Sequence, residues 1–124
     1  MQLNLERPDY QYFLRGADGA SALVNDRRLT RSFVVAPNVL VEDWPVSESI
    51  SMTPGDLDAL LESEPELLLL GTGATQIFPP AAFIAACLQR GIGIEVMTNA
   101  AAARTYSVLA GEGRRVVAGF VFPA

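Results

Sequence analysis

Leu67-Leu68-Leu69-Leu70-Gly71-Thr72-Gly73-Ala74-Thr75-Gln76-Ile77-Phe78-Pro79-Pro80 is the stretch that decides how this chain is read. A short unbroken apolar run bounded by turn residues has the pattern of a fully buried strand. The Gly-Thr-Gly that follows is a turn, and the two prolines suit a helix entrance, where a missing N–H costs nothing. A strand that passes through a glycine turn into a helix is the junction at which α/β domains usually place a ligand.

Downstream the same alternation continues. Leu67–Leu70, Ile92–Met97 and Val116–Phe122 read as strands, with helices over Pro80–Arg90 and Asn99–Ala110. Gly91 and Gly111 stand just past the helix ends, where glycine accepts a left-handed conformation. Repeated β-α-β order predicts parallel strands joined by right-handed crossovers, in a sheet covered on at least one face. Upstream the pattern changes to short strands at Tyr10–Leu14, Ala22–Asn25, Leu29–Ala36 and Val39–Glu42, spaced as antiparallel hairpins by Gly16, Asp18-Gly19, Asn25-Asp26 and Pro37-Asn38. Thr53-Pro54-Gly55-Asp56 marks a helix start, with Thr53 as N-cap and Leu57, Leu60 and Leu61 on one face. Glu64-Pro65 ends it. The fold class is therefore α/β, with a β-rich first half followed by β-α-β-α-β, and the 124 residues fit a single domain over 1–124.

Composition removes much chemistry. The chain has no histidine, no lysine and one cysteine, Cys87. That excludes a Ser-His-Asp or Cys-His arrangement, a Schiff-base nucleophile, a Walker phosphate loop and a zinc site of the usual nitrogen and sulfur ligands. No metal or cofactor is expected. Carboxylates, hydroxyls, arginines and backbone N–H groups remain. A net charge of −5 disfavours nucleic acid as a partner. Arg27-Arg28 and Arg114-Arg115 read as isolated pairs. Half the residues are hydrophobic, yet no apolar run approaches the ~18 residues of a membrane span. The start Met1-Gln2-Leu3-Asn4-Leu5-Glu6-Arg7-Pro8 lacks the plan of a secretory signal, and with a lone cysteine this points to the cytoplasm.

If Leu67–Leu70 and Ile92–Met97 are parallel neighbours, the loops after them leave the sheet at one edge. Thr72, Thr75, Gln76, Thr98 and Asn99 then surround a crevice in which Gly71 and Gly73 expose backbone N–H groups. Two helix N-termini add partial positive charge, and Arg104 is placed to supply a guanidinium fork. A small anion fits that description. The same glycines and threonines are also what a strand-to-helix turn needs for geometry and capping, and Gly-x-Gly alone is a poor dinucleotide fingerprint.

The second half carries a family resemblance. Gly71-Thr72-Gly73, Arg90-Gly91-Ile92 with Ile94-Glu95-Val96, Thr98-Asn99-Ala100, Thr105-Tyr106, Leu109 and Glu112-Gly113-Arg114 resemble, in order and spacing over Leu67–Ala124, a small family of Mth938-like domains. That family includes mitochondrial complex I assembly factor 3 and the adipogenesis-associated protein. The resemblance implies a three-layer β/β/α domain with a mixed central sheet. It brings no catalytic residues, and its mitochondrial member acts through protein partners. A mitochondrial targeting extension is not evident here.

Other residues have a bland reading beside the functional one. Cys87, on an apolar helix, reads as a buried inert thiol. Trp44 reads either as a partner-facing aromatic anchor or as a cap on the core. Glu62, Glu64 and Glu66 straddle a helix end without metal-loop spacing and read as solvated. Tyr106 falls at core spacing from Ala102 and Leu109, and Glu95 alternates to the face opposite Ile94 and Val96. Two function classes follow. A non-enzymatic binding or assembly module, with an apolar surface around Trp44 and the crevice, is favoured; an enzyme acting on a small phosphate- or carboxylate-bearing substrate without His, Lys or metal is the alternative. Hydrophobic composition and short strands also raise self-association through an open edge.

Overall fold

The computed structural model describes residues 10–124, and the start at Met1–Pro8 lies outside them. Eight strands and three α-helices follow in the order β1 Leu14–Ala17, β2 Ala22–Val24, β3 Arg27–Leu29, β4 Phe33–Ala36, β5 Val39–Val41, α1 Leu57–Leu61, β6 Leu67–Gly71, α2 Ala81–Gln89, β7 Gly93–Met97, α3 Asn99–Gly111 and β8 Val116–Phe120. Strands β1, β2 and β3 form a small antiparallel sheet. The central sheet has the order β5-β4-β8-β6-β7 and is mixed: β6 runs parallel to β7 and to β8, while β4 is antiparallel to β5 and β8.

Three local expectations are corrected. The strand expected over Leu29–Ala36 is two strands in two sheets, because the chain leaves the small sheet at Leu29 and enters the central one at Phe33. Ser32 fixes the crossing: its buried hydroxyl accepts Phe122 N–H at 2.9 Å. The strand expected from Tyr10 begins only at Leu14. The helix expected from Thr53 starts as a 3-10 turn over Pro54–Asp56, where the Asp56 carboxylate accepts Thr53 N–H at 2.8 Å. It is over by Leu61, and Glu64 turns to φ 51° just ahead of Pro65.

Alternation along the strands buries both faces of the central sheet. Leu69 and Ala118 face one core with Leu14, Val24, Phe33 and the α3 residues Ala102 and Tyr106. Leu68, Leu70 and Val117 face the other, with Leu57 and Leu60 of α1 and Phe83 and Cys87 of α2. The layers are thus the small sheet with α3, the central sheet, and α1 with α2. A strand buried on both sides has no polar face to show, which explains four leucines in a row. Because α2 and α3 follow adjacent parallel strands onto opposite faces, the C-terminal ends of β6 and β7 flank a topological switch point.

Candidate functional site

The structure brings Gly71, Thr72, Gly73, Thr75, Gln76, Thr98 and Asn99 together at this switch point, where the side chains of Thr72, Gln76, Thr98 and Asn99 are hydrogen-bonded within the fold and the exposed Thr75 hydroxyl makes no hydrogen bond with the described residues. Asn99, at 0% exposure, donates its amide N–H groups to Asp18 O at 3.1 Å and Val121 O at 3.3 Å and accepts Gly73 N–H at 3.1 Å. Its backbone N–H reaches Gly73 O at 2.9 Å. One amide therefore ties the turn to the small sheet and to the end of β8. Gly71 is required beneath it, since a Cβ there would collide with Asn99 Oδ1.

Thr72 is equally committed. Its hydroxyl donates to Thr75 O at 2.7 Å and accepts Ile77 N–H at 2.9 Å, closing the turn on itself. Its N–H takes Met97 O at 3.0 Å, continuing the β6–β7 pairing. Thr98 caps α3 by accepting Ala101 N–H at 3.2 Å. Gln76 lies over the sheet edge and donates to Val96 O at 2.8 Å. Arg104 is exposed on α3 and joins none of these bonds.

Beside the turn lies an open groove of about 510 Å³, walled by Ile50, Thr72, Gly73, Ile77 and Val121, in which Glu48 is the charged residue of the lining. Ile50 is 66% exposed and Ile77 42%, and Phe78 next to it in the chain is 60% exposed. These are three of the large hydrophobic side chains left open to water among the described residues. The sequence reading placed an apolar surface around Trp44 and the crevice without naming these residues. Ile77-Phe78, wedged between a glycine turn and Pro79-Pro80, was the available signal.

Trp44 is in the core at 4% exposure, the second of its two readings. Its indole N–H donates to Asp56 O at 3.3 Å, and its ring lies so close to Gly119 that a Cβ there would come within 2.8 Å of Cη2. Cys87 is buried, and desolvation pushes its thiol above the ordinary value. Tyr106 is in the core; its hydroxyl donates to Tyr12 O at 3.1 Å, and burial raises its pKa. Glu62, Glu64 and Glu95 are not buried. Glu66 pairs with Arg114 at 3.2 Å, and that hydrogen bond holds its carboxyl below the usual range. Among the described residues no three Cys, Asp or Glu side chains gather as a metal centre would require.

A mixed sheet with α2 and α3 on opposite faces and a self-closed glycine turn defines a small α/β domain of the Mth938-like class. The chain is 55% identical to a protein of Xanthomonas campestris whose structure was solved by NMR, with a TM-score of 0.82 over 98% of this chain and 92% of that one. It is 29% identical to a Bordetella pertussis protein described as a Mth938-like domain, with a TM-score of 0.78 over 98% of this chain and 92% of that one. A 13 kDa major membrane protein of Francisella tularensis is 32% identical over 81 residues, which span 65% of this chain and 66% of that protein. The model of a family described as a protein of unknown function (DUF498/DUF598) matches residues 15–121, and the chain belongs to that family.

Proposed function

We propose that this chain is a non-enzymatic protein-binding module, assembly-factor-like in its mode of action, whose contact surface is the apolar rim of the groove at the switch point. The observation that carries this reading is the division of labour there. The side chains of Thr72, Gln76, Thr98 and Asn99 are bonded within the fold, while Ile50, Ile77 and Phe78 stand in water. Exposed apolar side chains grouped at one place mark interaction sites more than scattered ones do. Among the described lining residues the one charged side chain, Glu48, is negative, which supports a polypeptide contact over a small anion at the turn.

A cytoplasmic location is part of the same proposal. No helix among the described residues is long and apolar enough to cross a membrane. The membrane protein name of the Francisella relative fits this reading if attachment runs through a protein partner. The test is quantitative co-purification from the native cell. A triple variant Ile50→Ser, Ile77→Ser, Phe78→Ser is expected to keep the wild-type melting temperature and lose a partner that wild type retains. Equal partner recovery by both proteins would overturn the proposal.

A further inference from the structure

We infer that a second site, at the opposite end of the central sheet, binds a small anionic molecule with an apolar body. An open cavity of about 490 Å³ lies where the C-terminus of α3 meets the starts of β8 and β5. Its lining includes two arginines, Arg114 and Arg115, together with Asn38 and Tyr10, and among the described residues no aspartate or glutamate. In a chain of net charge −5 this is a local reversal of sign.

Hydrogen-bonding capacity is also one-sided. Arg114 uses its Nε on Glu66, which keeps the guanidinium in place and leaves its terminal nitrogens without a hydrogen bond among the described residues. Arg115 makes no side-chain hydrogen bond or ion pair with the described residues. Asn38 accepts Gln11 N–H through Oδ1, and its amide N–H groups have no hydrogen-bond partner among the described residues. Two guanidinium groups and an amide together form a donor set suited to carboxylate or phosphate oxygens. Glu66 offsets one of the two positive charges, so the trio keeps a net charge of one. The remaining wall is apolar, with Val39, Val116 and Ala110, and would cover a hydrocarbon portion of the ligand.

The site shares no residue with the groove beside the glycine turn, so it stands or falls separately from the proposed function. Its test is a titration of the ¹⁵N-labelled full chain with octanoate, octyl phosphate and octyltrimethylammonium, followed by amide chemical shifts. Saturable shifts at Val39, Gly111, Gly113 and Val116 are expected with at least one anion and not with the ammonium. The stronger of the two anions identifies the headgroup as carboxylate or phosphate. Arg115→Gln is expected to weaken binding about tenfold or more, and Arg115→Lys to restore part of it. Because Arg115 is exposed, both variants should keep the wild-type spectrum elsewhere. Absence of saturable shifts at these residues with both anions, equal shifts with the ammonium, or binding indifferent to Arg115→Gln would overturn the inference.

Discussion

Asn99 shows how one side chain can look like a ligand-binding group in the sequence and prove to be a strut. Its three side-chain bonds serve Asp18 O, Val121 O and Gly73 N–H, all drawn from different parts of the chain. Asn99→Ala would remove all three and leave the buried Val121 carbonyl without this partner, at a cost of about 1–3 kcal/mol. Urea unfolding of the variant measures this, and an unchanged midpoint would contradict it. Partners 81 residues away in sequence could not be read from the turn itself, whereas the turn's glycines and the Thr98 cap were plain from local chemistry. Asp18 offers a test through pH. Its carboxylate accepts Ala20 N–H and Ser21 N–H at 2.8 Å each, and these bonds hold its pKa below the ordinary value. A depressed folded value means that its contribution to stability is present above the ordinary, unfolded value of 3.8 and is lost as pH falls through the folded one. An NMR titration should place the Asp18 midpoint below 3.8, the ordinary value; a midpoint at or above it would contradict the geometry.

At the scale of elements, β6, α2, β7, α3 and β8 were legible from their periodicity, their prolines and Gly91, although α3 runs through Gly111, expected just past its end, and Gly113 at φ 78° makes the left-handed turn instead. The first half was less so. Leu29–Ala36 reads as continuous β-formers, and nothing local announces that Thr30, Arg31 and Ser32 carry the chain from one sheet to another. The short strands there draw their stability from packing on Phe33, Tyr106 and Phe120 rather than from propensity. Trp44 was undecidable for the same reason, since its partner Gly119 lies far along the chain. Gly119→Ala should force the indole aside and cost on the order of 1–3 kcal/mol. A thermal melt with no loss would refute the packing described. Strand β7 is an edge, and Val96 O is among its outward backbone groups. Gln76 covers that carbonyl, a device that blunts strand addition. Gln76→Ala should therefore raise self-association over wild type in sedimentation velocity, and an identical concentration dependence would remove that role.

For the whole molecule, two ends of one sheet carry opposite characters. The groove at the glycine turn is largely apolar and carries the carboxylate Glu48; the cavity at the other end is lined by Arg114 and Arg115. The sequence pointed to a small anion at the first end because helix N-termini and glycine N–H groups gather there, but it could not show that Asn99 and Thr72 already occupy those groups. It left the arginine pair as an isolated charge run because the cavity around it is made by Tyr10, Asn38 and Val39 from the other half of the chain. The central claim is that the groove wall at Ile50 and Ile77, with the exposed Phe78 next to Ile77 in the chain, meets a protein. It is tested most directly by placing a photo-crosslinking p-benzoylphenylalanine at position 78 in the native cell, with position 108, exposed on α3, as the control. A discrete ultraviolet-dependent adduct from position 78 and none from position 108 is the expected result. No adduct at 78, or the same adduct from both positions, would contradict the account.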